Sequence, residues 1–263
     1  MLGLDHDLDR LLRTRASVGR RLRRRLGAAV PPPPPLDALK LEALDLAHRR
    51  FRVRRAADLG AVWAVDAGYS FHLADLPGVE SVSVVDDDFT PTATRAAARR
   101  ENVRLLRGNF GDPAVAADVG KVDAIVMFDV LLHQVAPDWN EVLDLYAPNT
   151  GVFVLAGPWY REGESSIRLL DLGEERYRAT VPAQDTHEGL FARLEEINPR
   201  RGRRWRDVHD IWQWGITDED LRGHMRALGF ALVHYENVGS WRSLPSFDNA
   251  AYVFARPELM VGR

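Results

Sequence analysis

The feature that most constrains this chain is a rhythm between residues 61 and 157. Short apolar runs rich in Val and Ile alternate with stretches of helical character. "AVWAVDA" (61–67), "SVSVVDDD" (81–88), "NVRLL" (102–106), "DAIVMFD" (123–129) and "GVFVLAG" (151–157) read as five strands. Between them, "TPTATRAAARR" opens a helix with Thr90 as N-cap and Pro91 in the first turn, and "PDWNEVLDLYA" forms another. Strands this short, separated by helices, pair in parallel with right-handed crossovers and are covered on both faces. A helix, "LDALKLEALDLAHRRF", precedes them. Another, "TDEDLRGHMRALGF", follows; it is capped by Thr217 with Asp220 and closed by Gly229. "ALVHYENV" and "NAAYVFAR" then form an antiparallel hairpin.

The rhythm breaks twice, which divides the chain into four. Residues 1–35 are a basic arm with eight arginines against three aspartates in its first 30 residues, ending in the proline run 31–35. Leu4, Leu8, Leu11, Leu22 and Leu26 sit near helical spacing. The arm is therefore read either as an amphipathic helix for an anionic membrane surface or a protein partner, or as an arginine-rich helix tethered by a stiff spacer. Residues 36–156 form the core, and 157–215 an insert holding Trp159, Trp205, Trp212 and Trp214. Residues 216–263 complete the core sheet.

Composition excludes several functions. With 263 residues and 46% hydrophobic content, the chain can bury one substantial α/β core. A net charge of -3 gives no field that would steer it to nucleic acid. Without cysteine there is no disulfide, thiolate nucleophile or cysteine zinc site. No window approaches the roughly 20 apolar residues of a membrane span, and the N-terminus has no signal-peptide core, so a cytoplasmic soluble protein is expected.

In a parallel α/β sheet, ligands bind at the carboxyl ends of the strands where the strand order reverses. On this reading the first strand ends at Asp66-Ala67-Gly68, and Asp86 ends the second, 20 residues after Asp66. An acid at that distance is where a ribose diol is held, since a carboxylate accepts from both hydroxyls.

These residues resemble the class I S-adenosylmethionine-dependent methyltransferases over residues 61–156 and the C-terminal helix and hairpin. The family's first motif, an acid followed by alternating glycines, is matched by "VDAGYSF", with Gly68 kept, Ser70 at the second glycine and His72 at the third. Its ribose acid corresponds to Asp86, with Asp87 beside it. Its third-strand motif corresponds to "LLRGNFGD", with Asn109 and Phe110 near adenine, and its fourth-strand signature to "FDVLLHQVAPDW", with Asp129. "LYAPNTGVFVLAGP" is similar to its helix, turn and fifth strand. The resemblance implies a three-layer Rossmann-like sheet, mostly parallel with an antiparallel C-terminal hairpin. It also implies S-adenosyl-L-methionine as cofactor, held by Asp66, Gly68, Ser70, Asp86, Asp87, Asn109, Phe110 and Asp129. The donor is a cation without a pyrophosphate and needs a glycine-rich phosphate cradle less than NAD does, so the missing G-x-G-x-x-G argues against a nicotinamide oxidoreductase.

Methyl transfer is an in-line displacement, helped mostly by positioning and, for a hydroxyl acceptor, by a base near neutral pKa. His133, just after the fourth strand, is the first candidate base, or else a residue that merely packs there. His209, beside Asp210 and near three tryptophans, is the second; its alternative role is in a tryptophan-rich cap over the sheet. His72, His187 and His224 rank below them. Trp159, Trp212, Trp214 and Arg204 are candidate contacts to the acceptor. The run Arg200, Arg201, Arg203, Arg204, Arg206 would suit a phosphate or carboxylate on it, or simply be an exposed basic loop. Asp86, Asp87 and Asp88 alternate faces, so no metal site is expected. The expected function is methylation, at oxygen rather than nitrogen, of a small metabolite, sugar or lipid-linked acceptor. The alternative is a binding protein on the same fold that no longer admits the cofactor.

Overall fold

The computed structural model describes residues 35–183 and 189–260. The basic arm and His187 therefore lie outside the described residues. Seven strands form one sheet: β1 (Arg55–Leu59), β2 (Ser81–Asp86), β3 (Val103–Arg107), β4 (Ala124–Phe128), β5 (Val152–Tyr160), β6 (Ala231–Ser240) and β7 (Phe247–Ala255). Their order is β6-β7-β5-β4-β1-β2-β3. β1 to β5 run parallel, and β7 is antiparallel to both β5 and β6. The chain steps from β1 out to β3 and then returns to β4 on the other side of β1. The crevice between β1 and β4 is thus the switch point where a ligand site forms.

Helices cover both faces. On one, α1 (Ala38–Phe51), α2 (Gly68–Ala74) and α3 (Pro91–Ala97) bury Leu44, Phe71 and Ala93 against Ala56, Val84, Val126 and Val154. On the other, α4 (Pro113–Val119), α5 (Trp139–Tyr146) and α7 (Asp218–Ala227) pack Val119, Leu143 and Met225 against Leu59, Ile125, Phe153 and Tyr252. The anticipated caps form: the Thr90 and Thr217 hydroxyls accept from the amides of Ala93 and Asp220 at 3.0 and 3.3 Å. Gly229 follows α7 with a φ of +82°. α6 (Glu174–Thr180) lies in the inserted region. There Leu169, Tyr177, Ile211 and Trp212 build a third core against Tyr160 and Phe247.

Two elements differ from the sequence reading. The first strand is "RAADL", not "AVWAVDA"; residues 61–67 make turns and "GYSFHLA" is the helix α2. β1 lies in the middle of the sheet with helices on both faces, where Ala56 and Ala57 let those helices approach, so it shows no polar alternation. In addition, β5 runs on to Tyr160, its last four residues pairing with Phe247–Ala250, so the irregular region starts after residue 160.

Candidate functional site

The turn after β1 is the centre of the site. Gly60 ends the strand with a φ of +73°, and a Cβ there would meet Val130 Cγ1 at 2.6 Å, so the position accepts only glycine. Its amide donates to the Val85 carbonyl at 2.8 Å, tying the turn to β2. The turn then folds back on itself: the Asp66 amide donates to the Val62 carbonyl (2.9 Å) and the Ala67 amide to the Ala61 carbonyl (3.1 Å). Ala64, Asp66 and Ala67 all take left-handed φ values, +65°, +51° and +63°, a conformation costly for residues with a Cβ and typical of ligand clamps.

Asp86 ends β2 as expected and faces this turn. Its Oδ2 accepts the Val62 amide at 2.8 Å, and its Oδ1 has a long 3.4 Å contact with the Asp88 amide. Burial pushes its carboxyl above the ordinary range, and the Val62 amide opposes this. Asp87 and Asp88 are exposed, Asp88 pairing with Arg107 at 2.8 Å.

The acid and glycine at the end of the first strand are not the expected ones. Asp58 and Gly60 occupy the strand end, 28 residues before Asp86 in the case of Asp58. Gly68 is not a turn glycine; it starts α2, where a Cβ would meet Leu36. Ser70 is fully buried in α2 and donates to Asp58 Oδ2 at 2.6 Å, so its hydroxyl does not face the turn. His72 pairs with Asp45 of α1 at 2.7 Å. Asp66 lies inside the turn rather than at a strand end, and its Oδ1 accepts the Thr90 hydroxyl at 2.6 Å. Asp58 is buried, and burial raises its carboxyl to about 7, against the lowering effect of the Ser70 hydroxyl. Its signal in the sequence is the acid-x-glycine of "ADLG", hidden in a strand without β-branched residues.

Beyond β3, Asn109 Oδ1 accepts the Gly111 amide at 2.7 Å and its Nδ2 lies 3.4 Å from His209 Nδ1. Phe110 is buried against Gly60, and its carbonyl accepts the Tyr146 hydroxyl at 2.8 Å. Its ring is a wall between turn and core rather than an open face. Beyond β4, Asp129 has a φ of +57° and donates its amide to Ala156 at 2.8 Å. Its Oδ2 is bonded to Lys40 of α1, and its Oδ1 is buried without a partner among the described residues. Asp129 opens a narrow cleft between the ends of β4 and β5, lined by Met127, Val130, Gly157, Trp159 and Ile216.

His133 follows Val130, Leu131 and Leu132, which line that cleft. Its Nδ1 lies 2.8 Å from the Ile211 carbonyl, so Nδ1 carries the proton and Nε2 keeps its lone pair. Burial holds the imidazole below its usual pKa. His209 is arranged differently from the expectation. Its Nε2 lies 3.0 Å from the Val135 carbonyl and its Nδ1 faces Asn109, so both nitrogens are engaged, while Asp210 pairs with Arg201 at 2.7 Å. Trp159 is a core residue, its indole N–H donating to the Ala250 carbonyl at 2.9 Å. Trp212 is buried among Trp241 and Phe247 and presents no open face, whereas Trp159, though mostly buried, lines the cleft. Trp214 is half-buried and donates to the Gln134 carbonyl at 2.9 Å. Arg204 is exposed and pairs with Glu195 at 3.0 Å, away from any clamp.

The strand order, with β1 to β5 parallel, β7 antiparallel and helices on both faces, is a three-layer Rossmann-like fold, and solved methyltransferase structures share it. No family model matches the sequence, and no curated protein does. Solved structures do. The N-terminal domain of EvdMO1, in the presence of SAH and D-fucose, is similar at 13% identity and a TM-score of 0.55, over 90% of this chain and 96% of that one. The Burkholderia thailandensis 1,6-didemethyltoxoflavin-N1-methyltransferase, with 1,6-didemethyltoxoflavin and S-adenosylhomocysteine bound, is similar at 15% identity and a TM-score of 0.52. There the match covers 97% of this chain and 92% of that one. Among the described residues no helix is long and apolar enough to cross a membrane.

Proposed function

We propose that the chain is an S-adenosylmethionine-dependent methyltransferase that methylates a small molecule, at oxygen. The observation that carries this reading is Asp86: a half-buried carboxylate at the end of β2, one oxygen fixed by the Val62 amide and the other left to accept from a sugar hydroxyl. The residues fit the donor in one further way: Asp129 Oδ1 is a buried acceptor without a partner among the described residues. Asp86, Asp66 and Asp129, with Asn109 and Asp87 at the adenine side, are the proposed donor contacts, and Val62 and Gly60 join them. The similar structures, crystallised with S-adenosylhomocysteine or in its presence, support the same assignment.

When bound, the donor supplies a methyl group on a sulfonium, ready for in-line displacement. The chain's part is to orient the acceptor and hold a proton. His133 is suited to holding the proton, because the Ile211 carbonyl fixes the tautomer and burial keeps the ring neutral at pH 7, so Nε2 can accept from a hydroxyl. The acceptor enters between the β4–β5 cleft and the inserted region, whose residues 209–214 hydrogen-bond to Leu132, His133, Gln134 and Val135.

Isothermal titration of the intact chain with S-adenosylmethionine and S-adenosylhomocysteine tests the reading. Micromolar binding that is lost in Asp86→Ala is the expected result. Absence of binding in the intact chain favours the binding-protein alternative.

A further inference from the structure

Lys40, the ion-pair partner of Asp129 at the rim of the turn, has no role in that reading. Lys40 projects from α1, and its side chain is only 8% exposed. Its Nζ is bonded to Asp129 Oδ2 and lies 5.7 Å from the ring centres of both Tyr69 and Phe128. Buried ion pairs are rarely the most stable way to fill a space, so their retention asks for a second reason. Here the unused bonding capacity supplies one. An ammonium has three donors, and among the described residues one of them goes to Asp129; the other carboxylate oxygen, Oδ1, is buried with no partner. Spare donors on a cation and a spare acceptor on an anion therefore lie side by side.

That pattern is the complement of a zwitterion. It also lies where one is needed. Asp86 holds the β2 side of the turn, and the Lys40–Asp129 pair the β4 side, with β1 between them. A ligand with a sugar diol at one end and an amino acid at the other would span the two. The turn itself is poorly equipped for the amino-acid end, because Ala61, Val62, Trp63 and Ala64 stand where bare glycine amides could approach closely. Resting on the donor-binding reading above, we propose that Lys40 and Asp129 receive the amino-acid end of the methyl donor, Lys40 its carboxylate and Asp129 its ammonium.

The test compares two ligands on the full chain by calorimetry: S-adenosylhomocysteine, and 5′-methylthioadenosine, which keeps the nucleoside and sulfur but has no amino-acid end. Lys40→Met and Asp129→Asn are expected to weaken S-adenosylhomocysteine about 10- to 100-fold, the size of a lost charge-assisted hydrogen bond, and to leave 5′-methylthioadenosine within about twofold. Lys40→Arg should recover part of the loss. A purely structural pair would instead weaken both ligands equally; that outcome, or no change in either, overturns the assignment. If Lys40→Met does not fold, the near-isosteric Asp129→Asn carries the comparison. An intact chain that binds both ligands equally refutes this inference alone, whereas one that binds neither refutes the donor reading with it.

Discussion

Replacing Asp58 by asparagine should change how stability depends on pH, with a sign that the burial of this carboxyl dictates. Asp58 is 3% exposed on the central strand, and burial raises its pKa from 3.8 to about 7. Between those values the folded chain keeps a proton that the unfolded chain has released. Stability from this group is complete below pH 3.8, declines as the pH rises and is gone above about 7. A displacement of this size corresponds to about 4 kcal/mol across the window. Asparagine mimics the protonated acid, since its amide oxygen can still accept the Ser70 hydroxyl that now lies 2.6 Å from Oδ2. At pH 4 the two chains should therefore unfold at nearly the same urea concentration. At pH 8 the Asp58→Asn chain should be the more stable by up to about 4 kcal/mol. Urea unfolding at pH 4, 6 and 8, with slopes checked for equality, measures the difference. His133 and His209 titrate in both chains and cancel in it, while the repulsion between ionised Asp58 and Asp86 is part of the difference measured. Curves that stay parallel across the range would show that Asp58 is ionised in the fold and refute the argument.

Two further outcomes follow from the geometry. Gly60→Ala should cost about 2–4 kcal/mol in urea unfolding, because its Cβ would stand 2.6 Å from Val130 Cγ1 at a φ of +73°; stability equal to the intact chain would mean that the turn is not fixed by this contact. His133→Gln should lower kcat about 10²- to 10⁴-fold while S-adenosylhomocysteine binds as before, and an unchanged kcat would reduce His133 to a packing partner of Trp212.

Much of the fold is legible because local and global signals agree. Thr90-Pro91 and Thr217 with Asp220 start helices where the sequence marks them, and four of the five parallel strands fall on their Val- and Ile-rich runs. The fifth escapes the pattern because a central strand flanked by two helical layers is selected for small size. "RAADL" buries Ala56 and Asp58 on the face that α2 covers and Ala57 on the opposite one, and it offers no alternation for the eye. "AVWAVDA" carries the apolar run instead, but Gly60 has already turned the chain and the Asp86 carboxylate draws the Val62 amide out of line. One misplaced strand moves the strand-end acid by eight residues, from Asp58 to Asp66, while Asp86 still ends β2.

In the inserted region the residue types are legible and their partners are not. Arg201, Arg203, Arg204 and Arg206 look like a clamp when read along the chain. Yet Asp210 takes up Arg201, Glu195 accepts from both Arg204 and Arg206, and Arg203 rests 3.1 Å from the His209 ring. The acids are present in the same stretch, and net charge rather than arginine count is the informative quantity. Neighbours in sequence also mislead for His209, whose true partners, Val135 and Asn109, are 74 and 100 residues away. Those long-range bonds fasten the insert to the segments after β3 and β4. It is therefore fixed against those segments, and the same set of bonds, through the Ile211 carbonyl, orients the His133 ring.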